Sequence, residues 1–288
     1  MSASRAKLLL VLVFIARGTS FLFSKSLMAD LTPMGILAVR FLLAFLILAV
    51  VYHKKLFHCG RKELSGGLIL GILYFVCMVL EMYGLRLIDS GVCALIENMA
   101  IILVPIYAAI LTRTLPRGST MLCAFLAVVG VGFLSLAQSR MAGSGLGITL
   151  AILAALTYGA CIMATEKVSK DADPISIGII QLGVMGLCSL AGALVTGTFC
   201  IPQTGKQWAM ILMLVLVCSC FGFAFQPVGQ KYLPAETAAV FTVINPLTAS
   251  ILGIAVAGET MSLSKACGYV LILTALVLYN IWNRTESG

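Results

Sequence analysis

Five ionisable side chains lie inside long apolar runs of this sequence, where a charge either takes part in chemistry or must be neutralised. They are Arg17, Lys25, Arg40, Glu81 and Glu97. An ionisable group at membrane depth is costly, so it normally faces a cavity or a partner. A carboxyl group in a dry cavity can also take up and release a proton near physiological pH, which would couple solute movement to a proton gradient. The pattern predicts a polar cavity between apolar helices.

Two interpretations of these charges remain open. In the first, Arg17 and Glu97 border the cavity and bind the substrate, and Glu81 and Arg40 add to its lining. In the second, buried ion pairs, Arg17 with Glu97 or Arg40 with Glu81, only lock helices together. Lys25 lies about a turn from the end of its helix, so its amine could also reach the membrane surface.

Polar residues near prolines are further candidates for the same cavity. A proline inside a helix frees a carbonyl group, and breaks at matching places in two halves mark binding regions in transporters. A simple kink that binds no ligand is the alternative. The prolines concerned are Pro105, Pro227 and Pro246, and the substrate-binding candidates added here are Asn98, Gln226, Asn245 and Tyr158.

The composition indicates that the chain is a membrane protein. Hydrophobic residues make up 61% of the 288 residues, charged residues make up 10%, and the mean hydropathy is +1.09. A soluble domain is about 45–50% apolar and about 25% charged, so a soluble enzyme, a disordered chain and a DNA-binding domain are excluded. A membrane-spanning helix needs about 20 apolar residues, and ten such spans can be read. They cover residues 7–28, 33–51, 66–85, 90–111, 119–137, 146–165, 174–195, 208–230, 234–256 and 263–282.

The loop charges predict an orientation. With the N-terminus inside, 12 Lys and Arg residues fall in inner segments and 4 fall in outer ones. Cytoplasmic loops are the ones enriched in Lys and Arg, so both termini are expected in the cytoplasm of a multi-pass plasma membrane protein. The outer four are Arg86, Arg140, Lys206 and Lys265. The natural partners of the inner charges are acidic lipid headgroups, not nucleic acid.

The two halves of the sequence resemble each other. At an offset of 141 residues Gly18 falls on Gly159, Pro33 on Pro174 and Pro105 on Pro246, and between spans three and four the offset becomes 145. The sequence therefore predicts two five-helix units, residues 1–140 and 141–288. Because five is odd, the second unit enters the membrane from the opposite side, which gives the inverted repeat of many secondary transporters. The predicted fold class is all-α integral membrane, with ten transmembrane helices as two inverted five-helix repeats.

Three stretches resemble the drug/metabolite transporter superfamily, in its ten-helix, two-repeat EamA-like branch. They are residues 18–40, 89–105 and 234–268, and the last contains the Gly258-Glu259 pair typical of that family. The resemblance covers nearly the whole chain. It implies a ten-helix carrier with a central cavity between its halves. It implies no single substrate, since the family handles amino acids, sugars, nucleotides and drugs.

The chain departs from the family pattern at the positions that carry charge. Arg17 stands where the family usually has Trp, and its repeat counterpart is Tyr158. Glu97 stands where the family more often has a small or hydroxyl residue. The first half has residues 114–117 (Thr-Leu-Pro-Arg) in place of the Gly-Glu pair. These departures weaken any substrate assignment taken from the family.

The sequence predicts a secondary active transporter, an exporter of a small metabolite, amino acid or drug, with protons as a coupling ion through Glu97. The alternatives are a channel or lipid scramblase without ion coupling, and a non-catalytic membrane sensor. No catalytic cluster or ATP-binding motif is found, so an enzyme is not expected. The ten cysteines contain no CxxC pair, and the loop with His53, His58 and Cys59 is interpreted as a basic loop. We expect no cofactor and no metal, and either a monomer or a homodimer.

Overall fold

The regular structure is helical throughout the described part of the chain. The structure is a computed structural model that describes residues 1–113, 118–138, 144–256, 258 and 261–285. Its α-helices are α1 (Ala3–Leu27), α2 (Pro33–Val51), α3 (His53–Phe57), α4 (Arg61–Leu87), α5 (Ser90–Glu97), α6 (Ala100–Leu111), α7 (Gly118–Gln138), α8 (Ser144–Lys170), α9 (Pro174–Val195), α10 (Gly205–Met213), α11 (Ala224–Gln230), α12 (Ala235–Phe241), α13 (Ile244–Ala255) and α14 (Leu263–Thr285). The segment Leu214–Phe223 is a π-helix. Three features discussed above, residues 114–117, Arg140 and Glu259, lie outside the described residues.

Eight helical stretches in the described residues are long and apolar enough to cross a membrane. They are Ser4–Leu27, Pro33–Val51, Arg61–Leu87, Ser90–Leu111, Ser144–Lys170, Pro174–Val195, Gly205–Gln230 and Ala235–Ala255. These match the predicted spans one to four and six to nine. The predicted spans five and ten coincide with α7 and α14, whose described apolar parts are Met121–Gly130 and Leu263–Ala275. The prediction of an all-α integral membrane protein is confirmed.

The distribution of side chains is the reverse of that in a soluble protein. Val50 is 74% exposed and Leu187 is 61% exposed, whereas Arg40 is 0% and Glu97 is 2% exposed. In water, charged side chains almost always stay at the surface. In a bilayer the apolar side chains face lipid and the ionisable ones face the interior of the bundle, which is the arrangement found here.

Two of the predicted helix starts are confirmed in detail. The Thr32 hydroxyl accepts a hydrogen bond from the Gly35 N–H at 3.1 Å, directly before the proline that opens α2. The Asp173 carboxylate accepts one from the Ser176 N–H at 3.0 Å, directly before the proline that opens α9. A side-chain cap of this kind satisfies an N–H that has no partner within the helix, and a proline at the first position has no N–H to satisfy.

The fourth and ninth spans are both broken near their middles. The fourth divides into α5 and α6 at residues 98–99, and the ninth into α12 and α13 at residues 242–243. The two spans begin 145 residues apart, which is the offset that the sequence gives for this region. Discontinuous helices at corresponding places in two halves are typical of transporter binding regions.

The two breaks have different local causes, and one is not where the sequence predicts it. Pro246 has no N–H to bond with the carbonyl four residues earlier, so the ninth span opens at Thr242. Pro105 lies inside α6, and the fourth span instead opens seven residues earlier, at Asn98. There the Asn98 side chain donates to the Ala94 carbonyl at 2.8 Å. An asparagine that bonds its own backbone in this way competes with the helix.

Helices of the two predicted repeats pack against one another. In the described residues, α4 packs against α8 and α9, α2 packs against α9, and α1 packs against α13 and the π-helical segment. The helices α7 and α14 pack together. This arrangement gathers the midpoints of α1, α4, the fourth span and the ninth span around one central volume.

We expect the substitution Gly18→Ala to destabilise the protein, because α1 crosses the ninth span at this residue. A Cβ atom there would lie 2.7 Å from Thr248 Cβ and 2.9 Å from the Asn245 carbonyl oxygen. Overpacking of this kind costs about 1–3 kcal/mol, which exceeds the gain of about 1 kcal/mol from placing Ala in a helix. A lower melting temperature in detergent measures the effect. Gly132→Ala, in α7 with no atom within 4 Å of the new Cβ, is the control, and equal behaviour of the two variants would contradict the crossing.

Candidate functional site

A small central chamber lies between the helices of the two predicted repeats. Its volume is about 10 Å³, about what one water molecule requires. Its walls come from α1, α4, α5, α13 and the π-helical segment. They are formed by Arg17, Ser20, Phe21, Met78, Glu81, Glu97, Phe223 and Asn245. Four of these residues are among the sequence candidates: Arg17, Glu81, Glu97 and Asn245.

Arg17 is held by aromatic rings and one amide. Its guanidinium carbon lies 4.2 Å from the ring centre of Phe223, 5.0 Å from that of Tyr158 and 5.8 Å from that of Tyr74. Its Nη1 donates a hydrogen bond to the side-chain oxygen of Gln226. Desolvated cation–π contacts of this kind stabilise a buried cation, so Arg17 is positioned without a carboxylate.

Gln226 connects this cluster to the neighbouring helices. Its Nε2 donates to the Tyr74 hydroxyl at 2.9 Å and to Gln230 Oε1 at 3.2 Å. The residue is 1% exposed. Gln226 therefore positions Arg17 and Tyr74 from just outside the chamber wall.

Arg40 lies beside the chamber and is satisfied by hydroxyl groups. Its Nε donates to Ser219 Oγ at 2.7 Å, and its Nη1 donates to Ser20 Oγ at 2.9 Å. Its guanidinium carbon is 5.6 Å from the Phe223 ring centre, so Arg17 and Arg40 share one ring. Its Nη2 has no hydrogen-bond partner among the described residues.

Glu81 on α4 and Glu97 on α5 both line the chamber. Glu81 is 3% exposed and Glu97 is 2% exposed. The Cys77 thiol points to Glu97 Oε1, at 3.8 Å. Two carboxyl groups that share one dry site disfavour the ionisation of both at once.

The ion pairs that the sequence predicted as an alternative are not found in the described residues. Within the described residues, neither Arg17 nor Arg40 forms a salt bridge with a carboxylate. The pairing of Glu97 with Arg17 and of Arg40 with Glu81 is therefore wrong as a description of contacts. The physical reason is that the rings and Gln226 already surround Arg17, while the hydroxyl groups of Ser20 and Ser219 already bind Arg40.

Tyr158, Asn98 and Asn245 each carry a buried polar atom that no described residue binds. Tyr158 is fully buried, and its hydroxyl has no hydrogen-bond partner among the described residues. The same holds for the side-chain oxygens of Asn98 and Asn245. Buried polar groups are nearly always hydrogen-bonded. These unpaired atoms are therefore places where a ligand or water can bind.

Three residues that contact the arginines of this site, Ser20, Ser219 and Phe223, were not among the sequence candidates. Ser20 follows Arg17 by three positions and so shares its helix face, a signal that was available. Ser219 and Phe223 lie in the π-helical segment, whose winding brings them to the arginines and which no sequence pattern predicts. Of the phenylalanines in the eighth span, Phe221 and Phe225 pack against each other instead, with ring centres 5.8 Å apart.

Two lysines make contacts at the predicted outer end of the bundle. Lys265 forms a salt bridge with Asp89 at 2.9 Å, directly before α5. Lys25 does not only extend toward the surface, because its Nζ donates to the Ile88 carbonyl. These contacts hold the end of α1 and the start of α14 against the start of the fourth span.

Two carboxylates make contacts at the predicted inner end of the bundle. Glu166 Oε2 accepts from the Ala235 N–H at 2.8 Å, at the start of α12. Asp173 pairs with Lys55 at 3.1 Å and joins α3 to the loop before α9. Burial works against the Asp173 carboxylate, but hydrogen bonds from Ser176 and the Lys55 charge outweigh it and lower the pKa of Asp173. The ion pair therefore persists into mildly acidic solution.

Comparison with known proteins identifies the family. The description "EamA-like transporter family" matches residues 4–136 and again residues 145–281. An uncharacterized transporter of Archaeoglobus fulgidus is 25% identical over 274 residues, covering 93% of this chain and 94% of its own. The uncharacterized transporter YvbV of Bacillus subtilis is 23% identical over 298 residues, covering 99% and 94%. A crystal structure shares the fold, with a TM-score of 0.74 and 15% identity, over 98% of this chain and 100% of its own.

We expect Gln226→Leu to destabilise the protein, because it leaves Arg17 Nη1 and the Tyr74 hydroxyl without their partner inside the bundle. Each buried unsatisfied group costs about 1–3 kcal/mol. The melting temperature in detergent checks this, with the exposed Gln203→Leu as the control. An unchanged melting temperature for Gln226→Leu would show that the network does not hold the two residues in place.

Proposed function

Because the chain belongs to the EamA-like transporter family, we propose that it is a secondary active transporter that exports a small metabolite, amino acid or drug across the plasma membrane. The observation that carries this proposal is the central chamber, which gathers Arg17, Glu81 and Glu97 midway through the bundle. Contacts join helices at both predicted ends of the bundle. A small chamber with charged walls suits a carrier that opens to one side at a time, whereas a channel needs a continuous path.

Alternating access in this proposal is the movement of two inverted repeats, residues 1–140 and 141–288, around the chamber. The matched breaks in the fourth and ninth spans support the repeat. So does the offset of 141 that relates Lys25 to Glu166. Each of these two residues contacts the start of the broken span in its own half, Lys25 at Ile88 and Glu166 at Ala235. Both are suited to act as end contacts that break when that end opens.

The same proposal gives the carboxyl pair a role in coupling. In this proposal Glu97 and Glu81, which line the chamber beside Arg17, hold one proton between them. Release of this proton to one side and uptake from the other would link solute movement to the proton gradient. Substrate contacts in this proposal come from Arg17, Glu97 and Glu81, with Arg40, Tyr158, Asn98, Asn245 and Gln226 around them.

We expect Glu97→Gln to abolish transport or remove its pH dependence, while the protein still folds and inserts. The amide keeps the shape of the carboxyl group, but it cannot titrate. Saturable counterflow in proteoliposomes across a range of pH values measures this, and Glu236→Gln, outside the chamber wall, is the matched control. Wild-type transport with wild-type pH dependence in Glu97→Gln would refute the coupling role.

A folding defect in Glu97→Gln would have a different meaning. It would show that Glu97 acts mainly as a counter-charge for Arg17, since an uncompensated buried charge costs about 3–5 kcal/mol. In that case the double variant with Arg17→Gln should recover folding. Recovery of folding without transport would assign the pair a structural role.

We expect Cys59 to react with a membrane-impermeant maleimide only from the cytoplasmic side. This follows from the 12-to-4 distribution of basic residues, which puts both termini and the loop around Cys59 inside. Burial of the thiol and the charges of Glu63 and Asp173 raise the pKa of Cys59, so labelling is best run at about pH 8.5. Mass spectrometry of right-side-out and inside-out vesicles locates the label. Modification of Cys59 in right-side-out vesicles would reverse the orientation.

A further inference from the structure

A groove on the outside of the bundle lies between α6 and α8 and shares no lining residue with the central chamber. Its volume is about 360 Å³, and its walls are formed by Tyr107, Ile110, Leu111, Ala160 and Met163. This volume is in the range of small-ligand sites. The tyrosine carries the only hydroxyl group of these walls, and that hydroxyl already donates to the Leu156 carbonyl at 2.9 Å. The groove therefore suits an apolar occupant.

The groove opens toward membrane lipid near one surface of the bilayer. Ile110 is 64% exposed and Leu111 is 74% exposed, and exposed apolar side chains of a membrane span face lipid. These two residues are the last of the fourth span, and Ala160 and Met163 lie in the second half of the sixth span. The groove is thus within one leaflet, at the predicted inner end.

The contacts between α6 and α8 show that the two helices run side by side in the same direction. Tyr107 bonds to Leu156, and a Cβ atom at Gly159 would lie 3.0 Å from the Tyr107 ring. The residues one turn farther along each helix then meet in the groove. Arg113 comes six residues after Tyr107, and Lys167 comes eight residues after Gly159. The two cations therefore lie at about the same depth, just beyond the groove.

Both cations are available to a ligand in the groove. Lys167 follows Met163 by four residues, so it lies on the groove face of α8 and about one turn closer to the membrane surface. Arg113 directly follows the cap of α6, with a φ of 54° at a position where glycine is usual. Both residues are exposed, and neither forms a salt bridge within the described residues. The one carboxylate of α8, Glu166, is already paired with Lys170 at 2.6 Å.

We propose that the groove binds one anionic phospholipid of the surrounding leaflet, with an acyl chain against the apolar walls and its phosphate between Arg113 and Lys167. Phosphate oxygens accept charge-assisted hydrogen bonds from arginine and lysine, and basic residues at the membrane surface attract anionic headgroups. A zwitterionic lipid would bring the positive charge of its own headgroup close to these two cations. The binding of the lipid does not depend on the carrier function.

The bound lipid would connect the two predicted repeats, since α6 belongs to the first and α8 to the second. The helix α6 is the second half of the broken fourth span, and the Tyr107 hydroxyl bonds it to α8. A headgroup that contacts both helices adds a further connection at the membrane surface. A ligand that binds only the folded state stabilises it by mass action, so the anionic lipid raises the stability of the protein.

Native mass spectrometry of the purified, delipidated full-length protein measures the affinity of the first lipid bound. The probes are dioleoylphosphatidylglycerol and dioleoylphosphatidylcholine, which differ in headgroup, and glycerol phosphate, which has no acyl chain. The phosphatidylglycerol should bind at least about tenfold more tightly than the phosphatidylcholine, and this preference should decrease with added salt. Equal binding of the two lipids would overturn the proposal. Glycerol phosphate that binds as tightly as the lipid would also overturn it, because the site would then be one for free phosphate.

Two sets of variants separate the headgroup contacts from the groove. The double variant Arg113→Gln, Lys167→Gln should lose the preference for phosphatidylglycerol and keep the phosphatidylcholine affinity. Its matched control is Lys54→Gln, Lys62→Gln, which removes two exposed cations at the same predicted end. Ala160→Leu fills the groove and should weaken the binding of both lipids, whereas Ala191→Leu, exposed on α9, should not. Wild-type preference in the first variant, or wild-type lipid binding in Ala160→Leu, would contradict the proposal.

Photolabelling tests the location in the wild-type protein and needs no variant to fold. A phosphatidylglycerol with a diazirine in its acyl chain should label residues 107–111 and 160–163. Excess unlabelled phosphatidylglycerol should remove this label, and the same amount of phosphatidylcholine should leave it. A dominant label elsewhere on the bundle, or one that both lipids remove equally, would overturn the proposal. Cross-links between two copies at α6 and α8, formed in place of the lipid label, would assign the groove to a second copy and would also overturn it.

Discussion

A charge inside a bilayer has to be neutralised by the protein itself, because lipid offers no hydrogen bonds and no counter-ions. In this bundle the π-helical segment of the eighth span provides partners of the buried charges. The π-helical winding of the eighth span brings Ser219 to Arg40 and Phe223 to Arg17. In the same segment Gly222 leaves room for Arg17, since an added Cβ would lie 2.9 Å from Arg17 Cγ. Isolated π-helical turns are often found at functional sites, and here the segment's function is to provide neutral partners for two cations that have no carboxylate.

In each predicted repeat a charged side chain contacts the start of a broken span, but the two charges have opposite signs. Lys25 reaches a carbonyl group at the end of the chain segment before α5, and Glu166 reaches an N–H at the start of α12. A carboxylate is favourable at the start of a helix, where unpaired N–H groups give a partial positive charge. A lysine at the corresponding place needs a hydrogen-bond acceptor, and the carbonyl group of Ile88 is that acceptor. The position of the contact is thus retained between the halves, while the charge that makes it is inverted.

The sequence was sufficient for the fold class and for which charges lie together, because both depend on the cost of transfer into lipid. Apolar runs gave the spans, and the rare charges within them gave Arg17, Glu81 and Glu97 as neighbours of one chamber. It was insufficient for the partners. Helical periodicity assigns a residue to a face but not to a distance across the bundle, so the contacts of Arg17 with Gln226 and with three aromatic rings could not be read. The break at Asn98 was likewise hidden, since the proline at 105 is the stronger local signal and a side-chain hydrogen bond to Ala94 is not visible in a pattern.

The small size of the chamber has a consequence for any solute that binds there. A space of about 10 Å³ holds one water molecule, so an organic solute fits only after Phe223 and its neighbours move apart. That displacement costs energy. The chamber therefore favours solutes whose contacts with its walls are strong enough to compensate for the cost.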